Sequence, residues 1–294
     1  MAPPGEARLR RNLRRRTQLV TVAEVLRRST EYLTRKGVPS PRVDAEHLLG
    51  KALGFSRLQL YLEHDRPLTE PELAAARELL ERRGRREPLA YILGEWGFRR
   101  LTLDVDARAL IPRPETEVVV ERCLARLSGR VEPAVLDVGT GTGAIALAIA
   151  DEHPGARVTA IDASADALAL ARANAERTGV PVEVVEHDLT RGLPGGPYDL
   201  VVSNPPYVEP EELSTLQPEV RDWEPQAALV GTGMTEAVVR GATAVLLPGG
   251  WLVLEVADGA AAAVCELLSL GGFAEVGRTA DLAGRDRVVE GRWP

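Results

Sequence analysis

The residues able to do chemistry in this 294-residue chain gather in two short segments. The first is Asn204-Pro205-Pro206-Tyr207, directly after the apolar run Leu200-Val201-Val202-Ser203. Two prolines stiffen the backbone and remove two N–H donors. Nearby carbonyls are then free of a continuing strand ladder and stand as fixed acceptors. The side-chain oxygen of Asn204 adds another. Two acceptors at one spot can grip both hydrogens of a planar –NH2 group, and Tyr207 offers a flat face for stacking. The bland alternative is a rigid turn, which Asn-Pro pairs often mark. The place of the tetrapeptide, after the fourth strand of a nucleotide-binding sheet, favours function.

The second segment is Gly139-Thr140-Gly141-Thr142-Gly143, between an apolar strand and a helix. Glycines let a backbone turn sharply and approach a ligand closely. Asp162 lies about 20 residues on, at the end of the next strand, where a carboxylate can take both hydroxyls of a ribose. Gly139, Gly141 and Ala144 also satisfy the dinucleotide pattern. The loop by itself leaves nicotinamide, flavin and S-adenosylmethionine open. Two details favour S-adenosylmethionine. Asp137, two residues before the first glycine, suits a cationic ligand. Asp188, after the third strand, is placed to accept from an adenine amino group. A lone Asp at a strand end is more often a cap or a solvated turn residue.

The elements that position these segments are legible as alternating strands and helices from about residue 113. Strands are expected at 134–137, 157–162, 182–185, 198–203, 251–256, 273–279 and 287–291. Helices are expected at 144–150, 165–178 and 260–270, with Ser164 as an N-cap. That alternation predicts an α/β fold: a mostly parallel sheet with helices on both faces, binding ligands at the carboxyl ends of its strands. Residues 19–86 read as a small helical bundle. Thr69-Glu70-Pro71-Glu72 is a helix start with a capping box. Residues 87–112 read as a hairpin connector, with short strands at 91–94 and 98–105. Arg8, Arg10, Arg11, Arg14, Arg15 and Arg16 make residues 1–18 a basic tail, expected to be disordered.

Composition removes several classes. Apolar residues are 45% and charged residues 27%, so the chain is globular and can build a core. Cys123 and Cys265, far apart and in no motif, exclude a disulfide scaffold and a cysteine zinc site and fit a reducing compartment. No apolar run approaches the roughly 20 residues that span a bilayer. The net charge of -7 argues against a generic nucleic-acid coat. Arg82, Arg83, Arg85 and Arg86 form a basic cluster, read as a solvated helix end. His47, His64, His153 and His187 form no cluster and read as surface or packing residues, and no metal site is apparent.

Taken together, Asp137 to Gly143, Asp162 and Asn204 to Tyr207 resemble the class I S-adenosylmethionine-dependent methyltransferases that modify amide or exocyclic amine nitrogens. Within that group, Leu110-Ile111-Pro112-Arg113-Pro114-Glu115-Thr116-Glu117 is similar to the signature of the peptide chain release factor glutamine methyltransferases. Pro88 to Gly94, Phe98, Glu224-Pro225, Ala228-Leu229, Leu254-Glu255 and Asp281 to Arg287 match further stretches. The resemblance covers residues 20 to 294. It departs at Val230, where the family often has glycine, at Ala257 in a Glu-Ile-Gly stretch, and at Leu189, where an aromatic is common.

The resemblance implies a Rossmann-like seven-stranded methyltransferase sheet over residues 113–294. The helical bundle and the β-hairpin connector would recognise the substrate. It implies methyl transfer from S-adenosylmethionine to the side-chain amide of the glutamine in a Gly-Gly-Gln loop of class 1 release factors, in translation termination. Asn204, Pro205, Pro206 and Tyr207 would hold the substrate amide. Gly139, Thr140, Gly141, Thr142, Gly143, Asp162, Asp188, Leu189 and Asn204 would hold the cofactor. Glu115 and Glu117 either cap the following helix or touch substrate. The implied enzyme is cytoplasmic and monomeric, binds no nucleic acid directly and uses no metal. A ribosomal protein glutamine methyltransferase and a nucleic-acid adenine-N6 methyltransferase are the competing readings.

Overall fold

The computed structural model describes residues 20–294; the basic tail lies outside them. The chain forms two compact units that divide after Leu93.

The first unit is helical: α1 (Val22–Arg35), α2 (Pro41–Leu53), α3 (Arg57–Leu62), α4 (Glu70–Gly84) and α5 (Leu89–Leu93). Val22, Leu26, Leu33, Leu48, Leu60 and Ala76 build its core. The expected start of α4 is present: the Thr69 N–H donates to Glu72 Oε2 at 2.8 Å. Two sequence expectations fail here. Residues 91–94 are not a strand, because Ala90, Tyr91 and Ile92 are buried as the helix α5. Gly94, at a φ of +76°, follows its end. The arginine cluster is not a solvated helix end either. Arg83 is buried with its Nε 2.6 Å from Asp44 Oδ2, and Arg82 pairs with Glu87.

The second unit opens with a hairpin, β1 (Glu95–Phe98) and β2 (Leu101–Asp104), paired antiparallel. The α/β part follows as α6 (Thr116–Leu127), β3 (Ala134–Val138), α7 (Ala144–Glu152), β4 (Arg157–Asp162), α8 (Ala165–Thr178), β5 (Glu183–Glu186), β6 (Tyr198–Ser203), α9 (Pro218–Arg221), α10 (Gln226–Leu229), α11 (Met234–Val245), β7 (Leu246–Glu255), α12 (Ala261–Leu270), β8 (Ala274–Ala280) and β9 (Asp286–Arg292). The seven strands from β3 onward form one sheet in the order β5-β4-β3-β6-β7-β9-β8. The pairs among β5, β4, β3, β6 and β7 are parallel, and β9 runs antiparallel to both β7 and β8.

Side chains alternate between the faces of a strand, and two cores result. Val135, Leu200, Val202 and Val253 face α6 and α7, whose Val119, Cys123, Ala146 and Ile149 complete one core. Leu136, Val138, Val201, Leu252 and Leu254 face the other way, onto Val238, Val239 and Ala242 of α11 and Leu268 of α12. From β3 the chain steps outward to β4 and β5, then returns to place β6 on the opposite side of β3. That reversal opens a crevice at the carboxyl ends of β3, β4 and β6.

Candidate active site

Strand register brings the two chemical segments together. Val138 pairs with both Ile161 and Ser203. One residue further on, Gly139 therefore stands between Asp162 and Asn204. Ser203 fixes this meeting point: its buried hydroxyl donates to the Val138 carbonyl at 2.8 Å. The crevice holds a cavity of about 440 Å³, lined by the Gly139–Thr142 backbone, Asp162, Asp188, Leu189, Asn204, Pro205 and Pro206 among others.

The glycine loop is built by its backbone. Gly139, Gly141 and Gly143 have φ of 73°, 57° and 84°, a region that side chains disfavour. A Cβ at Gly139 would meet nothing within 4 Å, so the loop stands clear of other protein there, leaving room for a ligand. The Gly139 and Thr140 N–H groups both donate to the Ile161 carbonyl, at 2.8 and 2.9 Å. Asp162 locks the turn, accepting from the Gly141 N–H at Oδ2 and the Ser164 N–H at Oδ1, each at 2.9 Å. Each oxygen keeps a second lone pair for a ligand hydroxyl.

Asp137 is not where the sequence suggested. It is fully buried beneath the loop, outside the cavity lining, and its Oδ2 accepts from Thr140 Oγ1 at 2.6 Å. Its Oδ1 has no hydrogen-bond partner. Burial pushes its carboxyl up to about 7, against the pull of the Thr140 hydroxyl. Its link to the cavity lining is the Thr140 hydroxyl it holds. Asp188 accepts from the N–H and hydroxyl of Thr190, and those bonds hold its carboxyl below the usual range. His187, read as a surface or packing residue, lines the cavity, with Nε2 2.7 Å from the Gly192 carbonyl.

The tetrapeptide divides. Asn204, Pro205 and Pro206 line the cavity. Tyr207 does not; it is 38% exposed, and partial burial followed by the nearby Glu255 pushes its hydroxyl pKa up. The segment rests on residues 229–231. The Val208 N–H donates to the Leu229 carbonyl at 2.9 Å, and Val208 and Val230 form a parallel bridge. Val230 is extended, at a φ of -96°, so no glycine is required there. Gly231 is required: a Cβ would sit 2.7 Å from Pro206 Cγ.

Asn174 carries no sequence signal of its own, and the other supports of the site lie in stretches that carry the family resemblance without revealing their bonds. Asn174, fully buried on α8, accepts from the Asp104 N–H and donates to the carbonyls of Asp104 and Thr142, binding the hairpin to the glycine loop. Glu117 accepts from the Arg99 N–H in the hairpin turn, and Glu115, at the N-cap position, makes no side-chain capping bond. Arg113 reaches buried Glu224 at 2.5 Å across 111 residues. Burial raises the Glu224 carboxyl, Arg113 opposes this, and Glu224 Oε2 has no partner. Thr116 Oγ1 donates to Glu255 Oε2 at 2.6 Å.

Comparisons with known proteins agree with this architecture. Residues 24–94 match the model of the PrmC N-terminal domain, and residues 116–219 match the methyltransferase small domain. The release factor glutamine methyltransferase of Geobacter sulfurreducens is 44% identical over 94% of this chain and 98% of its own length. The chain belongs to the release factor glutamine methyltransferase family. The Deinococcus radiodurans member is 45% identical over 92% of this chain and 97% of its own. Among solved structures, the T. thermophilus 16S rRNA methyltransferase RsmC, in complex with AdoMet and guanosine, is similar at a TM-score of 0.50 and 19% identity. That likeness, over 68% of this chain and 50% of RsmC, shows the fold alone.

Proposed function

We propose that this chain transfers a methyl group from S-adenosylmethionine to the side-chain amide nitrogen of the glutamine in the Gly-Gly-Gln loop of class 1 release factors, giving N5-methylglutamine. One observation carries the reading: the register that sets Asn204 beside Gly139, so that an amide acceptor and a nucleoside loop share one cavity. When bound, S-adenosylmethionine supplies an electrophilic methyl group on a sulfonium. The open glycine loop, the Asp162 lone pairs and the buried Asp137 charge suit a cationic nucleoside.

The chain's own residues meet the difficulty of the acceptor. An amide nitrogen is a poor nucleophile because its lone pair is delocalised into the carbonyl. Asn204 Oδ1 and the Pro205 carbonyl accept from the two –NH2 hydrogens, turning the nitrogen toward the methyl. The same bonds stabilise positive charge developing on nitrogen. Orientation of this kind supplies roughly 7–11 kcal/mol in good intramolecular models. Asp162 would take the ribose, and Asp188 and Leu189 would take the adenine; Tyr207, outside the cavity lining, is not assigned the stacking role on the amide. The methylated amide is acidic enough to lose its proton to solvent, so no dedicated base is invoked. In this reading the helical unit recognises the protein partner, and the enzyme works as a cytoplasmic monomer without contacting nucleic acid.

Transfer of labelled methyl to a purified release factor, located by mass spectrometry, tests the reaction. Asn204→Ala should lower the rate by at least two orders of magnitude. Full activity in that variant would remove Asn204 from the site.

A further inference from the structure

An asparagine carboxamide is nearly symmetric in shape but opposite in chemistry at its two ends. Oδ1 accepts and Nδ2 donates. If Asn204 receives a substrate –NH2, only one orientation works; the other sets donor against donor. Something must choose between them.

The strand ends provide it. Ser203 of β6 pairs with Leu254 of β7, so Asn204 is the register neighbour of Glu255. Glu255 is 2% exposed and lies behind the cavity, whereas Asn204 and Thr116 line it. Thr116, the first residue of α6, occupies Glu255 Oε2 with its hydroxyl at 2.6 Å. The other carboxylate oxygen is left for Asn204. We propose that Glu255 is the positioning residue for Asn204: its carboxylate accepts from Asn204 Nδ2 and so turns Oδ1 into the cavity as the acceptor for the substrate amide. This rests on the amide-methylation reading above.

The charge state of Glu255 then matters, because a protonated carboxyl presents a hydroxyl donor, which would draw Asn204 Oδ1 inward. The groups that face Glu255 come from three elements. Thr116 on α6 and Glu115 just before it stand on one side, Asn204 and Tyr207 follow β6, and Arg287 comes from β9. Burial is the largest influence and pushes the Glu255 carboxyl up to about 7. The Thr116 hydroxyl opposes it, Glu115 adds to it, and Arg287 and Asn204 favour the anion. Arg113 faces the same surroundings through Tyr207. The orienting form is the anion, which is lost as pH falls through about 7.

The test uses the full chain, saturating S-adenosylmethionine and an unmethylated class 1 release factor, with kcat and KM measured from pH 5.5 to 9. In the wild type, kcat should rise along a one-proton limb centred near 7. Glu255→Gln should lower kcat at pH 8.5 at least ten-fold and abolish the limb, while the Kd for S-adenosylmethionine stays within two-fold. Thr116→Val removes a donor that favours the anion, so the limb should move to higher pH. A Gln variant with wild-type kcat and an unchanged limb overturns the proposal. If that variant does not fold, an unmoved limb in Thr116→Val overturns it alone. Absence of methyl transfer by the wild type overturns the amide acceptor itself and this role with it. Transfer with an unmoved limb overturns only the role of Glu255.

Discussion

Asp137 offers the sharpest test of how the cofactor loop is held. Its carboxyl is fully buried and half-partnered, and folding raises it from 3.8 to about 7. Between those values the folded state holds a proton that the unfolded chain has released. Stability therefore falls as pH rises through that window, and the whole cost is present above about 7. At about 1.36 kcal/mol per unit the ceiling is about 4 kcal/mol. Asp137→Asn keeps the acceptor for Thr140 and carries no charge at any pH. Urea titrations of the two ligand-free proteins should show the Asn variant gaining about 3 kcal/mol on the wild type between pH 5 and pH 8, two units at that slope. Differencing across pH removes any fixed packing effect of the substitution. It also cancels Glu255, which titrates in the same range in both proteins. The same substitution should weaken S-adenosylmethionine binding, because a buried anion favours a cationic ligand. Calorimetry should show the wild-type affinity rising with pH through about 7 and the variant's staying flat. An advantage of equal size at pH 5 and pH 8 would refute a titrating Asp137. Equal cofactor affinity in the two proteins at pH 8 would refute its electrostatic role.

Other substitutions probe the supports of the site. Asn174→Ala leaves three backbone groups, one buried and two part-buried, without their partner. It should cost roughly 3 kcal/mol, read as a fall of several degrees in Tm, with a raised KM for S-adenosylmethionine. Gly231→Ala drives a methyl group into Pro206; kcat should fall more than ten-fold, whereas cofactor affinity measured by calorimetry should hold. Arg113→Leu strands the buried Glu224 carboxylate. It should destabilise by about 3 kcal/mol at pH 8 and by progressively less as pH falls, because protonation of the raised glutamate removes the stranded charge, as denaturant titration across pH would reveal.

What the sequence made legible follows from how local each feature is. The strands β3, β4 and β6 and the helix α8 announce themselves by apolar runs and caps within a few residues. The glycine loop and the tetrapeptide are likewise local, because each needs special backbone at consecutive positions. Misreadings arise where burial decides. Tyr91 and Ile92 look like strand residues, yet Ala90, Tyr91 and Ile92 are buried together as a helical turn after Pro88. Arg83 looks solvated until Asp44, 39 residues away, neutralises it. Asp137 sits one side-chain alternation away from the cavity, which its spacing from Gly139 cannot reveal.

The supports of the site are the least legible part, and for a single reason. Asn174 to Asp104, Arg113 to Glu224 and Thr116 to Glu255 are bonds between residues 70, 111 and 139 positions apart. Arg113, Thr116, Glu224 and Glu255 stand in recognisable stretches, but nothing in those stretches names the partner, and Asn174 has no local signal at all. Only the parallel register, which advances β3, β6 and β7 together, determines that Glu255 ends beside Asn204 and not two residues away on the same face. A one-residue slip between β6 and β7 would turn Glu255 to the other face of the sheet and leave the Asn204 carboxamide unheld. The precision of the acceptor thus depends on the packing of the strands behind it. Substitutions at Val202 or Val253 that loosen this register should lower kcat before they lower cofactor affinity.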